Sequence, residues 1–337
     1  MGSASSLIGD DAARGLVVTN ATPEAVKLFA YLQGVPSGEI LAGQHNAPLR
    51  GTRRLSVMHR RTKKYPAVAG HDFGFSFPGY WDGINFRQQI VDDAILRHHE
   101  GFINTIMWHA VVPTLDEPVA FYSAVITENT ENELTDAQWE ELTTPGTHLH
   151  ERWKSQVDVI AWFLKQLQFA DVPVLWRPYH EMNGRWFWWG GRPGDDGYRK
   201  LWAMLFDRLV NFHGLKNLIW VYNANEIGEG IGDYASFYPG DDMVDILATD
   251  VYKLDYSEND YDRLVALAGD KPIAIGECGS LPSEDILASQ PRWTWAMKWG
   301  EPGWEDLDFY QLDRTITHDQ LPGVTVKDPK IHYPILR

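Results

Sequence analysis

Residues Val174–Gly190 read VLWRPYHEMNGRWFWWG. A short apolar run stops at an Arg-Pro-Tyr break and empties into a loop holding a histidine, an acid and a crowd of aromatic rings. Near-continuous apolar runs of this length are what parallel strands show when both faces are covered. The same unit recurs along the chain. Strands are predicted near Ile40–Gln44, Ala67–Phe73, Phe102–His109, Val174–Tyr179, Leu218–Tyr222, Ile246–Val251, Ile273–Ile275 and Trp293–Trp299. Amphipathic helical patterns fall between them, most clearly over Ile84–His99, His148–Phe169, Tyr198–Phe212 and Tyr261–Ala268. Eight strands alternating with helices predict the α/β class and a closed (β/α)8 TIM barrel in one domain, spanning 16–337. The opening MGSASS reads as a processed or introduced start, and 1–15 as a flexible N-terminal segment.

The bulk properties narrow the partners. Thirty basic against 46 acidic side chains leave a formal charge of −16. Such a surface repels nucleic acid and anionic lipid. The one basic stretch, Arg50–Lys64, is expected to be a solvated barrel helix, and the acidic polar excursion Thr127–Pro145 after the third strand is long enough to wall one side of a cleft. No apolar window is long enough to span a bilayer. A single cysteine excludes an internal disulfide framework. The anomaly is tryptophan, with 15 residues. Some must fill the core, about half on this reading; others offer the wide faces on which sugar rings stack.

In a barrel, catalytic groups lie at the C-terminal ends of strands. Glu181 follows the fourth strand and Glu277 the seventh, so they face each other across the mouth. Two such carboxylates are what a glycosidase needs: one protonates the leaving oxygen, the other attacks or activates water. Glu181 sits among tryptophans, and burial there would raise its pKa as a general acid requires. Its bland alternative is a salt bridge to Arg177 or Arg185. Glu277, in AIGECGS, has small neighbours that would let substrate approach closely; a structural ion pair is the competing reading. Arg177 shares strand parity with Glu181 and is expected to orient a carboxylate in the mouth. Trp299, ending the eighth strand, is expected to floor the cleavage subsite. Trp186 is favoured over Trp189 for stacking on sugar. Cys278 has no partner base and reads as a small core residue. His45, His71, His109 and His180 near strand ends leave a metal-dependent barrel hydrolase open, although Gly184 breaks the HExxH zinc pattern.

RPYHEMNGRWFWWG resembles the acid/base segment of glycoside hydrolase family 26, chiefly β-1,4-mannanases. The likeness runs from LAGQHN through MWH, LIWVYN and TDVY to IGECGS. It implies a retaining mechanism with Glu181 as acid/base and Glu277 as nucleophile. It also implies that His180 and His109 contact the sugar, that Tyr252 hydrogen-bonds the nucleophile, that Trp186 belongs to a substrate platform, and that Asp250 lies beside the centre. The expected substrate is mannan, glucomannan or galactomannan, with β-1,3-xylan or mixed-linkage glucan as alternatives. Neither cofactor nor metal is expected. The expected protein is a monomer that is secreted or held at the cell surface.

Overall fold

The structure, a computed structural model, describes residues 15–47, 53–74, 84–253 and 255–324. The N-terminal expectation therefore falls almost wholly outside the described residues. Eight parallel strands form the barrel: β1 (Ile40–His45), β2 (Val68–Asp72), β3 (Ile103–Trp108), β4 (Val174–Pro178), β5 (Leu218–Asn225), β6 (Ile246–Val251), β7 (Ile273–Cys278) and β8 (Trp293–Lys298). Each pairs with the next, and β8 returns to β1 from Leu41↔Trp295 to Gln44↔Lys298, which closes the ring. A two-residue β9 (Thr315–Ile316) adds to the outside of β1.

Strand alternation divides the core. Leu175, Ile219, Val221, Ala248, Ala274 and Trp295 belong to the barrel's inner cluster, whereas Val174, Trp176, Trp220, Ile273 and Ile275 pack against the helices. The helix Pro23–Gln33 sets Ala25, Phe29 and Leu32 into that inner cluster and so seals the end of the barrel away from the strand C-termini. Burying a Phe or Leu side chain in this way contributes roughly 1.5–3 kcal/mol. Thr22 starts this helix by accepting from the Ala25 N–H, with Pro23 at its first position.

The basic stretch is a helix over Arg53–Thr62, but not a solvated one: Arg54, Leu55, Val57 and Met58 are buried. Arg60 and Arg61 face outward, whereas the buried Arg54 donates to the His45 carbonyl at 3.1 Å. The acidic excursion Thr127–Pro145 contains a helix, Asp136–Thr143, opened by a capping box between Thr135 and Gln138. That helix packs on His148–Phe169 rather than walling the cleft. No described helix is long and apolar enough to cross a membrane. Tryptophan is chiefly a core residue here. Ten of the 15 indoles are buried, more than the expected half. Only Trp186 and Trp299 among the described ones line the mouth of the barrel.

Candidate active site

The mouth holds a cavity of about 630 Å³, within the range of small-molecule and sugar-binding sites. Its walls include His45, His109, His180, Glu181, Tyr252, Glu277 and Trp299. Two departures from regular strand geometry aim the carboxylates into it.

The first is in β7. Thr249 of β6 pairs with Ile275, yet the next residue, Asp250, pairs with Glu277, so Gly276 is an extra residue. A bulge of this kind puts two successive residues on one face. Ala274 points inward and Ile275 outward. Without the bulge Glu277 would face the helices; with it, Glu277 turns into the mouth and Cys278 packs outside. Gly276 is small for a reason other than substrate access. A β-carbon there would run into the Asn223 Oδ1 and come within 2.8 Å of Arg177 Nη1.

The second is after β4. Tyr179 and Glu181 have φ of +48° and +55°. Non-glycine residues in this region cost about 1–3 kcal/mol each and persist only where the surroundings hold them. Here the Glu181 N–H donates to the Asn223 carbonyl at 2.8 Å, and Trp189 Nε1 donates to the His180 carbonyl at 2.7 Å. Alternation correctly turns Arg177 inward, but Glu181 reaches the mouth through these left-handed residues rather than by strand parity. Gly184 lies flat under the Trp186 ring, where any side chain would collide with the indole.

The environments of the two glutamates differ. Arg177 Nη2 donates to Glu277 Oε1 at 2.6 Å, and the Tyr252 hydroxyl donates to Oε2 at 2.7 Å. Arg177 also donates to the Gly276 carbonyl, so the guanidinium grips both sides of the bulge. Burial raises the Glu277 pKa above its ordinary value, opposed by Arg177, His109 and the Tyr252 bond. Glu181 accepts a hydrogen bond from Trp186 Nε1 at 2.7 Å. Burial first and the Glu277 charge second push its pKa up to about 7. Glu277 is therefore the carboxylate and Glu181 the acid that keeps its proton.

Asp250 is fully buried beside them, next to Asn223 and Glu181. Burial, then the Glu277 charge, push its pKa well above the ordinary carboxylate range. His180 is buried with its Nε2 3.8 Å from Glu277 Oε1, and burial holds it neutral. His109 lines the cavity edge-on to His180 at 4.5 Å between ring centroids. Trp299 stacks on His45 at 4.0 Å, a contact the sequence did not disclose. Trp189 is fully buried, whereas Trp186 reaches the cavity. The near wall after β3 is Phe121, Tyr122 and Ile126, just before the stretch expected to form it. Cys278 is buried in the core, and burial raises its thiol pKa.

His180, Asp250 and Glu277 bring one donor atom each within 4.8 Å of one another, a spacing a cation could use. The charges disfavour it. Both Glu277 oxygens are engaged, one by a guanidinium. Of the four strand-end histidines, His71 is buried beside Arg97 of the helix layer, not in the mouth.

A closed (β/α)8 barrel presenting a proton-holding acid after β4 and an ionised carboxylate on β7 has the equipment of a glycoside hydrolase. The sequence profile of glycosyl hydrolase family 26 matches residues 17–318, and the chain belongs to that family. Among solved structures it resembles GH26A from Muricauda sp. MAR_2010_75, with 46% identity, a TM-score of 0.83, and coverage of 90% of this chain and 99% of that one. A β-mannanase from a symbiotic protist of the termite Reticulitermes speratus, solved with a gluco-manno-oligosaccharide, is 30% identical with a TM-score of 0.76, covering 92% and 98%. A mannan endo-1,4-β-mannosidase of Thermothelomyces thermophilus is 33% identical over 92% of this chain and 64% of its own length. The chain spans about half to two thirds of the length of the first curated relatives it matches.

Proposed function

We propose that this protein is an endo-acting, retaining β-1,4-mannanase working on mannan, glucomannan or galactomannan. The observation that carries the mechanism is the asymmetry of the glutamate pair: Glu277 is held by Arg177 and Tyr252, and Glu181 is buried with a pKa of about 7. Glu277 attacks the anomeric carbon while Glu181 gives its proton to the departing oxygen. The covalent glycosyl-enzyme is then opened by water, with Glu181 now the base. Esterification removes the Glu277 charge, which lowers the Glu181 pKa and suits it to that second role. Relatives named as mannanases support the sugar, and a substrate too large to enter a cell favours a secreted or surface-held enzyme.

The test is sugar release from glucomannan, galactomannan, β-1,3-xylan and mixed-linkage glucan, with and without chelator. Wild type is expected to cleave the mannans whether or not chelator is present, and Glu181→Ala and Glu277→Ala to leave them intact. Preference for xylan or glucan overturns the substrate, and loss of activity with chelator overturns the mechanism.

The pH dependence follows from the same pair. Glu277 must be ionised and Glu181 protonated, so kcat/KM should rise on the acid side as Glu277 loses its proton. It should then fall as pH increases through about 7, where Glu181 loses its own. A rate independent of pH from 4 to 9 would contradict these assignments (limits roughly spanning both groups).

A further inference from the structure

Asp72 ends β2 beneath the cavity, and its carboxylate reaches both His109 and Gly74. Its Oδ2 lies 2.8 Å from His109 Nδ1, and its Oδ1 accepts from the His109 backbone N–H at 3.1 Å and the Gly74 N–H at 2.7 Å. Both side chains are buried, Asp72 at 4% exposure and His109 at 7%. The two backbone bonds fix the carboxylate, and the carboxylate fixes the plane of the imidazole and places a proton on Nδ1.

We propose that Asp72 is a positioning residue that acts through His109, holding its imidazole as a cation against the two glutamates. The inference rests on the glycosidase reading and deepens it. The charged and titratable groups facing His109 are Asp72 from β2, His45 from β1, His180 and Glu181 after β4, and Glu277 from β7. Burial alone would lower the His109 pKa; the Asp72 charge and hydrogen bond, with Glu277 and Glu181 behind them, raise it instead. Three buried carboxyl groups, those of Asp72, Glu181 and Glu277, face the ring, and a positive charge between them offsets the cost of burying carboxylate in a way a neutral imidazole cannot.

The substitution Asp72→Asn separates charge from hydrogen bonding. The amide oxygen can keep both backbone bonds while its NH2 donates to Nδ1, so the ring retains a proton on Nε2 but no longer carries a charge. The expected result is that both limbs of the kcat/KM profile move to higher pH, because His109 favours the ionised forms of Glu277 and of Glu181. At pH 6 kcat/KM should fall about 10–100-fold, the size carried by the outer partner of an oriented imidazole. In a His109→Gln background, Asp72→Asn should move the profile no further. Imidazole ¹⁵N shifts, assigned to His109 by comparison with His109→Gln, give a readout independent of activity. In wild type His109 should stay protonated above the ordinary histidine range, and in Asp72→Asn it should not. Ordinary titration of His109 in wild type overturns the proposal even if mannan is cleaved. Failure to cleave mannan with a cationic His109 overturns the functional reading and leaves the dyad standing. A further shift in the double variant would mean that Asp72 acts by another route.

Discussion

Glu181→Ala and Glu277→Ala are expected to lose mannan hydrolysis alike yet differ completely on an aryl mannoside. A polysaccharide leaving group must be protonated, so removing the Glu181 carboxyl should cost about 10²–10⁴ in kcat. A dinitrophenolate departs without a proton. On that substrate Glu181→Ala should still form its glycosyl-enzyme, release a burst of phenolate, and stall. Azide, small enough for the space left by the carboxyl, should then restart turnover and give a β-glycosyl azide. Glu277→Ala has no nucleophile for any leaving group. It should lose on the order of 10⁵–10⁶ in kcat, as nucleophile deletions do, and show no burst. Azide in its place would attack from the opposite face and give the α product. The checks are stopped-flow phenolate release and the anomeric configuration of the azide. A burst from Glu277→Ala, or none from Glu181→Ala, would exchange the two roles or refute both.

Arg177→Met should be the most damaging change to stability among the site residues. Arg177 is fully buried, 2.6 Å from Glu277, and tied to the carbonyl of the bulge glycine. Removing one member of a buried pair strands the other's charge at a cost of about 3–5 kcal/mol. The sign of its pH dependence is specific. Arg177 favours the ionised form of Glu277, so the loss should be greatest at neutral pH and shrink as Glu277 takes up a proton in acid. Urea unfolding at pH 7 and at pH 4 (roughly the ordinary carboxyl range) measures both. Equal midpoints for variant and wild type at neutral pH would show that the pair holds nothing together.

The architecture was legible because each strand is an apolar run bounded by turn residues. Ile246–Val251 was placed to the residue, and the other seven within a few positions. The long helix His148–Phe169 was equally plain from its period. The helix Pro23–Gln33 was overlooked even though Thr22-Pro23 is a start signal, because no strand preceded it to suggest one. Asp136–Thr143 was hidden by its acidity, although the Thr135 and Gln138 spacing announces a capping box. At the site, strand-end position was enough to find both glutamates, Tyr252 and Trp299. What could not be read was how they turn inward. The Gly276 bulge and the left-handed Tyr179 and Glu181 are set by Asn223 and Arg177, contacts between residues far apart in the chain that no local pattern encodes. Asp72 escaped notice for a related reason. Its meaning lies in a bond to His109, 37 positions away.

The raised pKa of Glu181 also has a thermodynamic face. In the unfolded chain this carboxyl titrates near its ordinary value of 4.5, and in the folded one near 7. Between those values the native state binds a proton that the unfolded state has released, so folding stability from this group declines as pH rises through that interval. Below the lower value the contribution is complete; above the upper one it is gone, a swing of a few kcal/mol by linkage. Glu277, meanwhile, loses its proton and becomes competent as pH rises. The conditions that arm the nucleophile are therefore those under which the general acid gives the fold least support.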